Sequence, residues 1–212
     1  GHLTGQTYLR AMLSRLQSGL LNLDEVREGL VQIPDAYTDE VRQLLKSEQA
    51  EAQELGLELA ARLTKPGQFL PEVQMLLLRA NSTVRQAVVR FLATNSHPDF
   101  YRYLQVQLVD DNPAIREAVL ETLIAMRQPL STVQLMFLLE DPSLPVRSLA
   151  FIAAQQSDRQ NAEIQAACEA TWLSLTTPAR PVGITEATIE SAQMLVVQAI
   201  QESRNSQFIP LL

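Results

Sequence analysis

The chain has 212 residues, of which 46% are apolar and 19% charged, with a formal net charge of −7. This is ample apolar material for a continuous core. The acidic balance disfavours bulk binding along a phosphate backbone, which needs a basic stripe to displace counterions. A single cysteine, Cys168, excludes an internal disulfide and fits a reducing compartment. No apolar run approaches the ~20 residues that span a bilayer, and no signal peptide is visible.

In chain order, Gly1-His2 without a Met reads as a vector scar covering residues 1–2, and the apolar ending at 208–212 as a cut end. One domain of a longer protein is therefore expected. Residues 3–68 read as irregular N-terminal capping hairpins, with helices over 4–18, 23–33, 38–46 and 48–63. Asp24-Glu-Val-Arg27 and Asp39-Glu-Val-Arg42 look alike, but their spacing of 15 fits no repeat period. They read as two helix starts with acidic first turns.

Residues 69–157 carry an internal repeat. Three segments align on an arginine: Arg79-Ala-Asn-Ser-Thr-Val-Arg85, Asp110-Asp-Asn-Pro-Ala-Ile-Arg116 and Asp141-Pro-Ser-Leu-Pro-Val-Arg147. Successive arginines are 31 residues apart. A β-branched residue precedes each (Val84, Ile115, Val146), and small or apolar residues follow (Ala87/Val88, Ala118/Val119, Leu149/Ala150). A weaker leading copy, 32 residues earlier, puts Gln53 in the arginine position. Each copy opens a helix: Asn112-Pro113 is an N-cap followed by proline, and Ser82 is the cap expected for the earlier copy. Between the copies lie the companion helices of the hairpins, expected over 69–80, 98–109 and 131–140, with breaks at Pro66-Gly67, His97-Pro98 and Gln128-Pro129 separating one hairpin from the next. Residues 158–212 read as a C-terminal capping hairpin, with helices over 160–175 and 184–203 and a loop over 176–183. The total is about twelve helices in about six hairpins, and no segment alternates as a strand does.

This pattern resembles HEAT repeats. In that family the second helix of a hairpin begins with Asp, followed six residues later by the Arg of a Val-Arg dipeptide. Asp110/Arg116 and Asp141/Arg147 match, Arg79 replaces the Asp in its copy, and the leading copy lacks the Arg. The short period is similar to that of the HEAT-like repeats in phycobilisome lyase subunits. The resemblance implies an all-α fold, an α-α superhelix, used as a noncatalytic protein-interaction or scaffold module. An alternative it implies is a lyase-like or chaperone subunit that binds a chromophore or client. A third, the HEAT-like alkylpurine DNA glycosylases, relies on a basic concave face and is disfavoured by the acidic charge.

The Asp/Arg pairs are expected to be structural. A carboxylate at a helix start accepts backbone N–H bonds, and an Arg fork can bridge it to a neighbouring turn. Arg85, Arg116 and Arg147, with Asp110 and Asp141, should form a ladder through the stack. The partner surface is expected on the second helices, at Gln86, Glu117 and Ser148, then Arg90, Glu121 and Ile152, with Val89, Leu120 and Phe151 at its border. That mixture of charged and apolar groups suits a protein or peptide partner. His97 sits in a turn without companion ligands, and Cys168 lies on an Ala-rich helix without a base. Asp110-Asp111 and Glu140-Asp141 read as caps. Trp172 and the Phe100–Tyr103 run are too sparse for base stacking, and one of Tyr101 and Tyr103 should pack while the other is exposed. The glycines match no phosphate-binding loop. No catalytic, cofactor or metal site is expected, and a bacterial, cytoplasmic setting is.

Overall fold

The computed structural model describes residues 37–95, 100–156, 161–176 and 185–203, with positions 11, 14, 15 and 18. Residues 1–2, expected as a scar, the rest of the helix expected over 4–18, the helix expected over 23–33, His97, the loop after Thr176 and residues 208–212 lie outside the described residues. The chain divides into two compact units, residues 1–103 and 104–212. All regular structure among the described residues is helical.

The first unit contains α1 (Thr38–Leu45), α2 (Ala50–Ala60), α3 (Leu70–Arg79), α4 (Ser82–Thr94) and the start of α5 (Phe100–Val106). Helix α1 packs on α2 and α3 on α4, giving two hairpins; α1 also meets α3, and α2 meets α4. First helices thus stack on first helices and second on second, as stacked repeats require. The apolar stripes explain the pairing: Val41, Leu44 and Leu45 of α1 and Ala52, Leu55, Leu59 and Ala60 of α2 are all buried. Gly56 allows the close approach, since a Cβ there would lie 3.0 Å from Leu44 Cβ. The break expected at Pro66-Gly67 is instead a 3-10 turn, Pro66–Phe69, with Pro66 in its opening position and Phe69 buried at its end. Proline's fixed φ suits the start of a helical turn, so it opens a short element here. The cap of α4 is Asn81, not Ser82: the Asn81 side chain accepts the Val84 N–H at 3.0 Å. Its carboxamide oxygen reaches the third amide of the helix, whereas Ser82 already lies in the first helical position.

The second unit begins within α5 and continues through a 3-10 turn (Gln107–Val109) to α6 (Pro113–Ala125), α7 (Thr132–Leu139), α8 (Leu144–Gln156), α9 (Ala162–Thr176) and α10 (Glu186–Ser203). Helices α6, α8 and α10 form one layer, and α7 and α9 the other. Asn112 caps α6 through its bond to the Ala114 N–H, with Pro113 following. Ser131 and Gln134 form a reciprocal capping box at α7. Helix α6 ends in a Schellman arrangement: Gln128 N–H donates to Leu123 O and Arg127 N–H to Ile124 O, both at 2.9 Å. Arg127 takes the left-handed position at φ 52°, where glycine is usual. Helix α8 lies between α6 and α10, which explains why Val146, Ser148, Leu149, Ala150, Phe151, Ala153 and Ala154 are all buried.

Candidate functional site

The repeated arginine proves to be a clasp on its own hairpin turn. Arg116 Nη1 donates to the carbonyl of Asp110 at 2.6 Å, and Arg147 Nη1 to that of Asp141 at 2.6 Å. Weaker bonds reach the next carbonyls, Asp111 and Pro142, each at 3.3 Å. Arg85 Nη1 donates to Ala80 O at 2.8 Å. The leading copy achieves the same with a neutral group, because Gln53 Nε2 donates to Ser47 O. The acidic position is a turn former: Asp110 Oδ1 accepts the Asn112 N–H at 2.8 Å, and Asp141 Oδ1 the Ser143 N–H at 2.7 Å. Ser47 Oγ accepts the Gln49 N–H in the equivalent place. A carbonyl at a turn has no intrahelical donor, so a side chain returning from the helix satisfies it.

The free edge of the Arg116 fork builds the ladder within the second unit. Its Nε donates to Asp141 Oδ2 at 2.7 Å and its Nη2 to Oδ1 at 2.8 Å. The side chains of Arg116 and Asp141 are 9% and 2% exposed, so the bidentate pair is sealed between two repeats. The hydrogen bonds from Arg116 to Asp141 raise the guanidinium pKa against the opposing effect of burial. For Arg147 burial dominates and lowers the value, with Asp141 acting in the opposite sense. These arginines are thus committed to structure.

The expected partner surface changes in detail. In the first unit, Gln86 is half-buried and Arg90 exposed on α4. Arg90 borders a groove of about 360 Å³ between α2 and α4, with Glu54, Glu58 and Arg62 around a floor of Leu57, Ala87 and Phe91. In the second unit, Glu117 is half-buried and Glu121 exposed on α6, one turn apart. Burial, and then the charge of Glu121, raise the Glu117 pKa. Ile152 is half-buried, but Ser148 is 0% exposed and donates its hydroxyl to Leu144 O at 3.0 Å. Ser148 therefore leaves the surface, on a helix packed by α6, α7, α9 and α10. Val89, Leu120 and Phe151, expected at the border, are core residues.

Other candidates resolve as packing. Trp172 is buried on α9 and offers no stacking platform. Tyr101 and Tyr103 are both half-buried, where one exposed and one packed ring were expected. An α5 of only seven residues followed by a 3-10 turn does not present two clean faces. Cys168 is fully buried, and burial pushes its thiol up to about 12. Among the described residues no three His, Cys, Asp or Glu side chains gather to hold a metal ion. No helix among them is long and apolar enough to cross a membrane.

One pair escaped the sequence reading. Arg42 Nε donates to the buried carboxylate of Glu72 at 3.0 Å, bridging α1 and α3, while its guanidinium lies 5.7 Å from the Phe69 ring centroid. The signal was present as a separation of 30 residues, close to the repeat period, but it joins first helices, and the aligned motif lies on second helices.

A family model for HEAT repeats matches residues 70–155, the stretch that carries the turn clasps of Arg85, Arg116 and Arg147. These residues are HEAT repeats. The match covers the repeats from α3 to the end of α8, where the aligned arginines lie. No curated protein and no solved structure gives a significant match to the chain. HEAT repeats generally serve protein–protein interaction or scaffolding.

Proposed function

We propose that the chain is a noncatalytic protein-interaction module whose partner surface lies on the second helices of its HEAT hairpins. The observation that carries this reading is the groove between α2 and α4. Its apolar floor of Leu57, Ala87 and Phe91 is ringed by Glu54, Glu58, Arg62 and Arg90. An apolar centre with a charged rim is the anatomy of a protein-binding patch. In the second unit Glu117, Glu121 and Ile152 offer a similar mixture. Two carboxylates one turn apart repel each other in the free helix, a cost that a cationic partner group would remove. A cytoplasmic setting belongs to the same reading, supported by the single, buried, free thiol of Cys168.

The test is affinity capture from a lysate of the source organism with the wild-type chain and with Arg90→Glu and Glu121→Lys. A protein partner recovered by wild type and lost with either charge reversal supports the reading. Recovery of no protein above background, or equal recovery by all three baits, refutes it.

A further inference from the structure

The first unit lacks the staple that closes the second. Where Arg116 grips Asp141 across neighbouring repeats, the corresponding positions hold Gln53 and Arg79. Gln53 is occupied with its own turn, and Arg79 replaces the acid that a repeat arginine would seize. Both residues line an open groove of about 800 Å³ along the turns of the first two hairpins. An ion pair has been exchanged for a cavity at an equivalent place in the repeat.

The groove has the composition of a binding site. Met75, 44% exposed, supplies its apolar surface, over a floor lined by Leu45 and Leu76, which are buried. Lys46 and Arg79 stand along it, with Glu48 and Glu72 as the acids. Glu72 is already neutralised by Arg42 at 3.0 Å. Lys46 holds Glu72 only at 3.7 Å, with a side chain 64% exposed, so it is free to swing into the groove. Arg79 is exposed and makes no hydrogen bond or ion pair among the described residues. Two cations therefore face the groove against the single carboxylate of Glu48, on a chain whose net charge is −7. A guanidinium held at an apolar surface favours a carboxylate, which it can bind through two parallel bonds.

We propose that this groove docks an acidic peptide segment of a partner protein, with an apolar side chain against Met75 and a neighbouring carboxylate on Arg79 and Lys46. The proposal rests on the interaction-module reading but assigns a second surface, on the turn edge of the hairpins and separate from Arg90. The open groove and the missing staple are one feature: an Asp at 79 and an Arg at 53 would fill with their own ion pair the space that the occupant needs.

The test is a selection of random displayed dodecapeptides on the full chain, followed by fluorescence anisotropy with the enriched peptides as labelled probes. Enrichment of Asp or Glu beside Leu, Phe or Met is expected, with affinity falling about tenfold or more in Arg79→Glu, the scale of an interface anchor. A second variant, Gln53→Arg with Arg79→Asp, installs the staple. It should melt at a higher temperature than wild type while losing the peptide, so loss of binding cannot be attributed to unfolding. Peptides that bind Arg79→Glu as well as wild type overturn the proposal, as does a stabilised double variant that still binds. If such peptides are instead lost on Arg90→Glu, the second-helix surface stands and this groove does not. If no peptide is enriched, the groove proposal fails, and the lysate experiment decides the module reading separately.

Discussion

Replacing Asp141 with alanine removes the acceptor of two charge-assisted hydrogen bonds and leaves the Arg116 guanidinium buried. It also strips the Ser143 N–H of its side-chain acceptor. Because the pair is almost fully shielded from water, the small values typical of surface ion pairs do not apply. Removing one member of a buried pair costs about 3–5 kcal/mol, most of it the penalty of the stranded charge. Arg116 keeps its bonds to the Asp110 and Asp111 carbonyls, which places the expected loss near the lower end, about 3 kcal/mol. Urea unfolding followed by circular dichroism measures it, with hydrogen exchange of α8 amides as a local readout. Arg116→Met with Asp141→Leu should recover part of the loss, since an apolar pair leaves no stranded charge, although the Asp110 carbonyl and the Ser143 N–H then lack their side-chain partners. The reasoning is refuted if Asp141→Ala costs under about 1 kcal/mol, the range of an exposed pair, or if the double replacement is no more stable than the single one.

Three further outcomes follow from other sites. Glu117 carries a raised pKa in the folded chain, so the folded state binds its proton more tightly than the unfolded state. Lowering the pH through the carboxylate range therefore stabilises the fold at this position, and at neutral pH Glu117 is a burden. Glu117→Gln should raise stability at pH 7 by about 0.2–0.5 kcal/mol, the size of a like-charge pair one turn apart, with the gain shrinking as the pH falls; a gain constant from pH 3 to pH 7 in urea titrations would contradict the cause. The Cys168 thiol, buried and pushed up to about 12, should resist a disulfide-exchange reagent at pH 8 in the native protein and react in urea; rapid native labelling would show that α9 opens. Arg127→Gly, at the left-handed end of α6, should raise the melting temperature, reflecting a gain of about 1 kcal/mol; an unchanged or lower melting temperature would show that the arginine side chain contributes more than its backbone costs.

Much of the fold was legible because the repeat carries its own punctuation. Asn112-Pro113 announces α6, and the 31-residue recurrence of Arg85, Arg116 and Arg147 places three second helices without any tertiary knowledge. What stayed hidden depends on neighbours. Ser148 looked like a surface residue because its counterparts are Gln86 and Glu117, yet it is buried on a helix packed by four neighbours. Gln53 departs from the repeated arginine in the sequence, yet its carboxamide donates to the Ser47 carbonyl as the guanidinium does to its own turn. The groove beside Arg79 has no periodic signature, since it exists where the repeat departs from its own pattern. A consensus identifies the positions that keep the stack together, and the exceptions to it mark where a surface has been released.

Arg116 carries a consequence for cooperativity. Its Nη1 closes a local loop across six residues, to Asp110, while its Nε and Nη2 reach across 25, to Asp141. In a linear array, stability separates into a term intrinsic to each repeat and a coupling term at each junction. Arg116 enters both, whereas Arg147, through its bonds to Asp141 O and Pro142 O, serves the intrinsic term of its own hairpin. Asp141 bonds Ser143 within its own turn and Arg116 at the junction. A chemical change at the junction between α6 and α8 therefore alters how far unfolding propagates along the second unit, as well as where it starts.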